Sequence, residues 1–96
     1  MTDKVMPSQS FTASGSVGAG NSVYHGYTVT TVTATGPINI RRGSVSGQII
    51  DVIPAATAVG TTKHLANGIA VGGESVSGIF VEFNGGATGG VVIHYR

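Results

Sequence analysis

The clearest pattern of hydrophobic and polar positions lies at the C-terminal end of the chain. Residues 75–83 and 91–96 are rich in β-branched and aromatic side chains, and the segment between them holds four glycines. Two such runs around a glycine-rich turn predict an antiparallel hairpin over residues 75–96. Apolar residues occupy successive positions in both arms, as in Ile79-Phe80-Val81, which predicts that both faces of the hairpin are covered.

Shorter apolar runs, separated by Gly and Pro, fill the rest of the chain. The longest, residues 22–34, exceeds the usual length of a strand, so Gly26 within it predicts a bulge or bend. Residues 61–67 predict one helical turn or a loop, and Asn67-Gly68 predicts a turn. Further short strands are predicted within residues 10–17, 38–41, 45–53 and 69–71.

This series of short strands predicts an all-β fold. About 7–8 short antiparallel strands with frequent turns are typical of a small β-sandwich or a jelly-roll-like barrel. The chain has thirteen Val and eight Ile against a single Leu, and β-branched residues favour sheets over helices. We expect a single β domain at residues 13–96, preceded by an extended arm at residues 1–12 that is disordered alone or ordered against a neighbour.

One internal similarity relates two of the predicted strands. Residues 44–52 and 75–83 both begin Ser-Val-Ser-Gly and place an acid, Asp51 or Glu82, at the eighth position. Two copies are too few for a solenoid, which needs at least about three repeats. The similarity therefore favours two equivalent strands that enter through similar turns.

The low charge content indicates a surface that meets other protein. Only 9% of the residues are charged, against roughly 25% in an ordinary soluble domain. A surface of Ser, Thr, Gly, Ala and Val favours a homo-oligomer or docking onto a larger assembly. The net charge of +1 gives no reason to expect nucleic acid or an anionic membrane as partner.

The N-terminal residues and the absence of cysteine bear on location. The segment 1–7 lacks the apolar core of a signal peptide, no run approaches the ~18 apolar residues that span a bilayer, and no disulfide is possible. An intracellular origin, without a membrane partner, is the expectation.

The candidate catalytic and metal-binding residues are few. His25, His64 and His94 are ligand types for zinc, but their spacing matches no local metal motif, and packing or interfacial roles are favoured. Asp51 and Glu82 occupy equivalent positions and would suit paired-carboxylate chemistry if they came together. The favoured alternative is that each points to solvent or pairs with an arginine: Arg41, Arg42 or Arg96.

Other signatures of catalysis are missing. No Gly-x-Ser-x-Gly elbow occurs among the nine serines, and no glycine cluster is followed by Lys-Ser or Lys-Thr as in a phosphate loop. The sequence therefore predicts no catalytic site, no metal, no cofactor and no enzyme activity.

The small number of cations leaves two interpretations of the basic residues. Arg41, Arg42 and Lys63 would form a basic patch, with tyrosines available to stack on bases as in small barrels that bind single strands. Three cations are few for such a binder, so docking onto an acidic protein surface is at least as well supported.

Four segments carry a resemblance to a known group of proteins. In order these are Ile53-Pro-Ala-Ala-Thr-Ala58, Asn67-Gly-Ile69, Ser77-Gly-Ile-Phe-Val-Glu-Phe-Asn-Gly-Gly86 and Val91-Val-Ile-His-Tyr-Arg96. With its strand ending in an acid, its Gly-rich turn and its terminal Tyr-Arg, the chain resembles small structural proteins of tailed bacteriophages, of the head decoration (cement) type. The resemblance covers about residues 44–96 and includes no catalytic signature.

That resemblance implies a function, partners and a location. It implies a β-rich virion protein, made in the host cytoplasm, that forms a homotrimer and docks on the major capsid protein at the capsid surface, without direct contact to nucleic acid. A tail or fibre component is the first alternative, and a small ligand- or nucleic-acid-binding β-barrel is the second. The expected docking residues are Lys4, Phe11, Arg41, Arg42, Lys63, Val92 and Tyr95.

Overall fold

The computed structural model describes residues 8–18, 22–44, 46–71 and 78–96, and these ranges contain eight strands. A single 3-10 turn, Asn84–Gly86, precedes the last strand. The strands are β1 (Ser8–Phe11), β2 (Gly15–Val17), β3 (Val23–Ala34), β4 (Ile38–Arg42), β5 (Ile49–Ile53), β6 (Thr62–Ala70), β7 (Ile79–Phe83) and β8 (Thr88–Tyr95).

The strands form two antiparallel sheets of four. One sheet has the order β1-β8-β3-β6 and is called the β3 sheet below; the other has the order β2-β7-β4-β5 and is called the β4 sheet. Strand pairs are nested about the β4–β5 hairpin, with β3 beside β6, β2 beside β7 and β1 beside β8. Eight strands paired in this nested order make a jelly roll, so the predicted all-β sandwich is confirmed.

The predicted hairpin over residues 75–96 is wrong. Within its described part, β7 pairs with β2 and β4, whereas β8 pairs with β1 and β3, so the two arms lie in different sheets. The Asn84–Gly86 turn carries the chain from one sheet across to the other. Side chains of β7 and β8 therefore meet across the core, which accounts for the apolar character of both arms.

Other predicted elements differ in their extent. The 22–34 strand and the short strand at Ile38 are confirmed as β3 and β4. Residues 61–67, expected as a helical turn or loop, and the turn expected at Asn67-Gly68 are instead part of β6. The single strand predicted over residues 10–17 is two short strands in different sheets, and Ser8–Phe11, inside the expected arm, is β1.

The core between the sheets is built from aliphatic and tyrosine side chains of both layers. In β7 the buried Ile79 and Val81 alternate with the more exposed Phe80 and Glu82, as expected when a sheet has one covered face. The main buried residues are Tyr24, Tyr27, Val29, Val91 and Ile93 from the β3 sheet, and Ile38, Ile40, Ile53, Ile79 and Val81 from the β4 sheet.

The predicted irregularity at Gly26 is confirmed as a β-bulge. Tyr24 and Tyr27 are both buried in the core although their spacing of three would place them on opposite faces of a regular strand. The pairing of β3 with both β6 and β8 shifts register between Tyr24 and Gly26, which corrects the phase. Gly26 has φ of 124°, and a Cβ there would lie 1.9 Å from the Lys63 carbonyl oxygen.

A buried polar contact joins the sheets on the side where β5 and β6 form the edges. The Tyr24 hydroxyl, in β3, donates to Asp51 Oδ2 in β5 at 2.7 Å. Lys63 Nζ, in β6, lies 2.8 Å from Asp51 Oδ1. Burial, together with the neighbouring Asp51 carboxylate, raises the pKa of Tyr24 far above its usual range, so the hydroxyl stays protonated as a donor.

Replacing Gly26 by Ala should destabilise the fold by more than about 3 kcal/mol. A left-handed conformation costs a non-glycine residue about 1–2 kcal/mol, and the overlap with the Lys63 carbonyl adds to it. Gly60→Ala is the matched control, since Gly60 also has positive φ but a Cβ added there would have nothing within 4 Å. Urea unfolding of both variants measures the difference; equal losses would show that the close approach in the bulge costs nothing.

Candidate functional site

The outward face of the β4 sheet carries apolar side chains around a polar centre. Cross-strand pairs place Arg41 beside Phe80 and Ile49, and Asn39 beside Glu82 and Val52. Directly paired residues share a face, and their neighbours Ile40, Ile79 and Val81 are buried in the core. These six side chains are called the outer β4 face: Asn39, Arg41, Ile49, Val52, Phe80 and Glu82.

The centre of the outer β4 face is a hydrogen-bonded ion pair. Glu82 Oε1 accepts from Arg41 Nε at 2.8 Å and from Asn39 Nδ2 at 3.0 Å. Arg41 Nη1 also donates to the Gly47 carbonyl at 2.7 Å, which fixes the guanidinium above the sheet. The bonds from Asn39 and Arg41 lower the pKa of the Glu82 carboxyl below its usual value. The only two charges of this face thus neutralise each other.

The apolar part of the outer β4 face is solvent-accessible. Ile49 and Val52 are 42% and 41% exposed, although both belong to a strand. Phe80 is partly buried beside Arg41. Interface cores are enriched in aromatic residues and Arg and depleted in unpaired charge, so this face has the composition of a protein-docking surface.

The outward face of the β3 sheet brings the three histidines together. His64 on β6 and His94 on β8 both pair with Gly26 on β3, from opposite sides. The bulge turns His25 to the same region, where its ring stacks on His64 with centroids 6.4 Å apart. His94 Nε2 lies 2.9 Å from Thr28 Oγ1. Widely separated positions in sequence are thus adjacent in the fold.

These histidines do not form a metal centre. Across residues 8–18, 22–44, 46–71 and 78–96, no group of three His, Asp or Glu side chains is arranged to hold a metal ion. In the same ranges no helix has the length and hydrophobicity to cross a membrane.

The two acids singled out for paired-carboxylate chemistry are held apart. β5 and β7 lie on either side of β4, but β5 is at the edge of the sheet and β7 is inside it, so the two similar segments do not occupy equivalent places. Asp51 points into the sandwich towards Tyr24, while Glu82 points outward to Arg41. The expected pairing with an arginine is correct for Glu82, whereas Asp51 pairs with Lys63.

The expected docking residues are distributed over several surfaces. Lys4 lies outside the described residues. Phe11 and Tyr95 are half-buried and pack against the core, and Val92 is half-buried on the outward side of the β3 sheet, where it pairs with Thr28. Of the cations, Arg41 belongs to the outer β4 face.

The two remaining cations make structural contacts between the sheets. Arg42 sits opposite Ile79 on β7, and its Nη1 donates to the Ala70 carbonyl in the other sheet at 2.7 Å. Lys63 Nζ bonds Asp51. Because Arg41 and Arg42 are consecutive in a strand, they project to opposite faces, and the three cations form no common patch.

The sequence pattern did not reveal Ile49, Val52 and Phe80 as surface residues. Ile49 and Val52 are three apart, a spacing that a regular strand would divide between two faces. A register shift between Ile40 and Arg41 allows the consecutive residues Ile50 and Asp51 both to face the sandwich, which leaves Ile49 and Val52 on the solvent side. The shift depends on pairing with β4, so periodicity along β5 alone carries no signal for it.

Comparisons with known proteins add no identity. No family model matches the sequence, and neither a search of curated proteins nor a search of solved structures gave a match.

Replacing Glu82 by Gln should lower stability at neutral pH by up to about 1 kcal/mol, the usual range for a solvent-screened ion pair. The lowered pKa of Glu82 means that its contribution is full above about 4.5 and is lost as the pH falls through the folded-state value. Unfolding free energies of parent and variant should therefore converge as the pH falls below the ordinary carboxylate range. A difference that stays constant throughout the acid range would contradict this account.

Proposed function

We propose that this chain is a non-enzymatic structural protein that docks on other protein through its outer β4 face. More specifically, we propose that it is a capsid decoration protein of a tailed bacteriophage and binds the shell of major capsid protein. The observation that carries the docking role is the exposure of Ile49 and Val52 around a neutralised Arg41–Glu82 pair. The phage assignment rests on the resemblance of residues 44–96 to cement-type proteins.

Solvation favours a protein partner for this face. Isolated exposed hydrophobic side chains are ordinary, but here two lie on one strand next to Phe80 and the internally paired Arg41. Covering the face removes apolar area from water and requires no separation of the ion pair, since Arg41 and Glu82 already satisfy each other. A partner surface of low charge suits it best.

The fold supports a structural role by analogy. Jelly rolls of eight strands occur in viral capsid proteins and lectins, and also in cupins, whose barrels serve other functions. In this chain the space between the sheets is occupied by the buried Tyr24, Tyr27 and aliphatic side chains. That filling favours a structural module over the ligand-binding β-barrel.

The nucleic-acid alternative receives less support from the cations. Arg41, Arg42 and Lys63 each make a contact within the protein, with Glu82, the Ala70 carbonyl and Asp51 respectively. A binder of single strands needs cations that are free to contact successive phosphates.

The number of copies in purified virions tests the assignment to a phage and distinguishes a head decoration protein from a tail or fibre component. A head decoration protein is expected at hundreds of copies, and a tail or fibre component at a handful. Quantitative mass spectrometry of virions, calibrated on the major capsid protein, gives that number. Absence from virions would overturn both the head and the tail assignment, and a stable monomer in solution would contradict the expected homotrimer.

Ile49→Asp and Val52→Asp should each weaken docking at least tenfold, because a carboxylate would have to be desolvated in the covered face. Both side chains are exposed, so the fold itself should be retained. Val59→Asp is the matched control, since Val59 is 62% exposed in the loop that pairs with Val29 of the other sheet.

Binding is measured to shells of major capsid protein that lack this chain, and circular dichroism checks the fold of each variant. If both variants bind as the parent does, the outer β4 face is not the docking surface. If Val59→Asp alone is defective, the β3 side of the molecule carries that role.

A further inference from the structure

The three histidines around Gly26 make a contact between an edge strand and the centre of the β3 sheet. Among the described strands, β6 lies at the end of this sheet and pairs with β3 alone, so His25 and His64 contribute directly to holding it in place. Gly26 has no side chain, and His64 and His94 therefore approach from both sides without an intervening group. The docking role proposed above makes no use of this cluster.

His25 is the buried member of the cluster. It is 2% exposed, and its Nδ1 donates to the Leu65 carbonyl of β6 at 2.7 Å. Nδ1 must carry the proton, because a carbonyl oxygen only accepts, so the neutral ring has a bare Nε2. That Nε2 is buried without a hydrogen-bond partner among the described residues. A second proton on this ring would place a charge and an unpaired donor inside the contact.

The other two rings add charge to the same region when protonated. His64 is exposed on β6, and its ring lies at 25° to that of His25. Burial, with a further effect of the neighbouring His64, lowers the pKa of His94 below its usual value. His94 therefore binds a proton less readily in the folded state than in the unfolded state. Stability is therefore lost as the pH falls below the ordinary histidine value of about 6.5.

Within the described strands around the cluster, no acidic side chain supplies compensating negative charge. On β6 the other titratable group is Lys63, after His94 they are Tyr95 and Arg96, and β1 has none within Ser8–Phe11. The acids of the described residues are Asp51, inside the sandwich against Tyr24 and Lys63, and Glu82, on the opposite sheet. No side-chain carboxylate of the described residues therefore compensates positive charge on the cluster.

We propose that His25, His64 and His94 form a pH switch that keeps β6 paired with β3 at neutral pH and loosens it in mildly acidic solution. A proton on the exposed His64 places a cation against His25 and beside His94. Repulsion is relieved when the part of β6 around His64 moves away from β3, because β6 has no second neighbour among the described strands of its sheet. Its contacts with the β4 sheet, from Lys63 to Asp51 and from Arg42 to the Ala70 carbonyl, do not involve the histidines. The β4 sheet, which contains no histidine among its strands, keeps its pairing.

Amide hydrogen exchange followed by NMR tests the switch on the folded, full chain. Protection factors, corrected for intrinsic exchange, are compared for β6 and β7 at about pH 7.5 and about pH 5. β6 should lose about tenfold more protection than β7, because the repulsion acts on β6 and not on the β4 sheet. Equal changes in both strands, or none in β6, would overturn the proposal.

Substitutions at the exposed position 64 separate charge from structure. His64→Lys carries a permanent cation and should show low β6 protection already at about pH 7.5, whereas His64→Gln should recover part of the protection at about pH 5. The double variant H64Q/H94Q should recover most of it. Full β6 protection of His64→Lys at neutral pH, or an acid loss in H64Q/H94Q as large as in the parent, would show that the cluster is no switch.

Discussion

The contact of Asp51 with the buried Tyr24 and the exposed Lys63 is the interaction on which the arrangement of the two sheets depends. It joins β3 and β6 of one sheet to β5 of the other, on the side of the sandwich where both sheets end in an edge strand. A carboxylate in that position is stable only if its oxygens are satisfied, and here Tyr24, Lys63 and the Val52 amide satisfy them. The contact therefore fixes which residues of β3 and β5 face inward, and the aliphatic core assembles around that choice.

The requirement that Tyr24 reach Asp51 has a consequence on the opposite side of β3. Tyr27 must also face the core, and the bulge at Gly26 is what allows both tyrosines to do so. The same bulge displaces His25 towards the outward face and brings His64 and His94 to either side of a glycine. One local departure from strand geometry thus links the packing of the core to the histidine cluster, and a pH response in β6 would be felt next to the inter-sheet contact.

Sequence patterns predicted well the features that depend on composition, such as the fold class. They predicted poorly the features that depend on which strands pair with each other. The excess of Val and Ile predicted an all-β protein, and the length of the 22–34 run with its central glycine predicted the bulge. The prediction of a hairpin at residues 75–96 was wrong because two apolar runs around a turn have the same sequence pattern in both cases. The two strands can pair with each other, or the turn can lead from one sheet to the other, as it does here. Only the end of β6 was predicted, within the short strand at residues 69–71; the rest was missed because Lys63-His-Leu-Ala-Asn67 is a mostly exposed edge without alternation. The outer β4 face depends on a register shift, and the histidine cluster on non-local pairing, so neither follows from spacing alone.

Because this molecule has few charged residues, a change in the charge of one ionisable group has a large effect on the local charge balance. The chain has five Lys and Arg and four Asp and Glu, and Arg41, Lys63, Asp51 and Glu82 are already committed to ion pairs. A formal net charge of +1 becomes +4 if all three histidines are protonated, and that change is concentrated on one face of one sheet. In an ordinary domain, nearby acids would compensate for such an increase. Here the described acids lie inside the sandwich or on the other sheet, so mild acid acts on the β3 sheet while leaving the neutral outer β4 face unchanged.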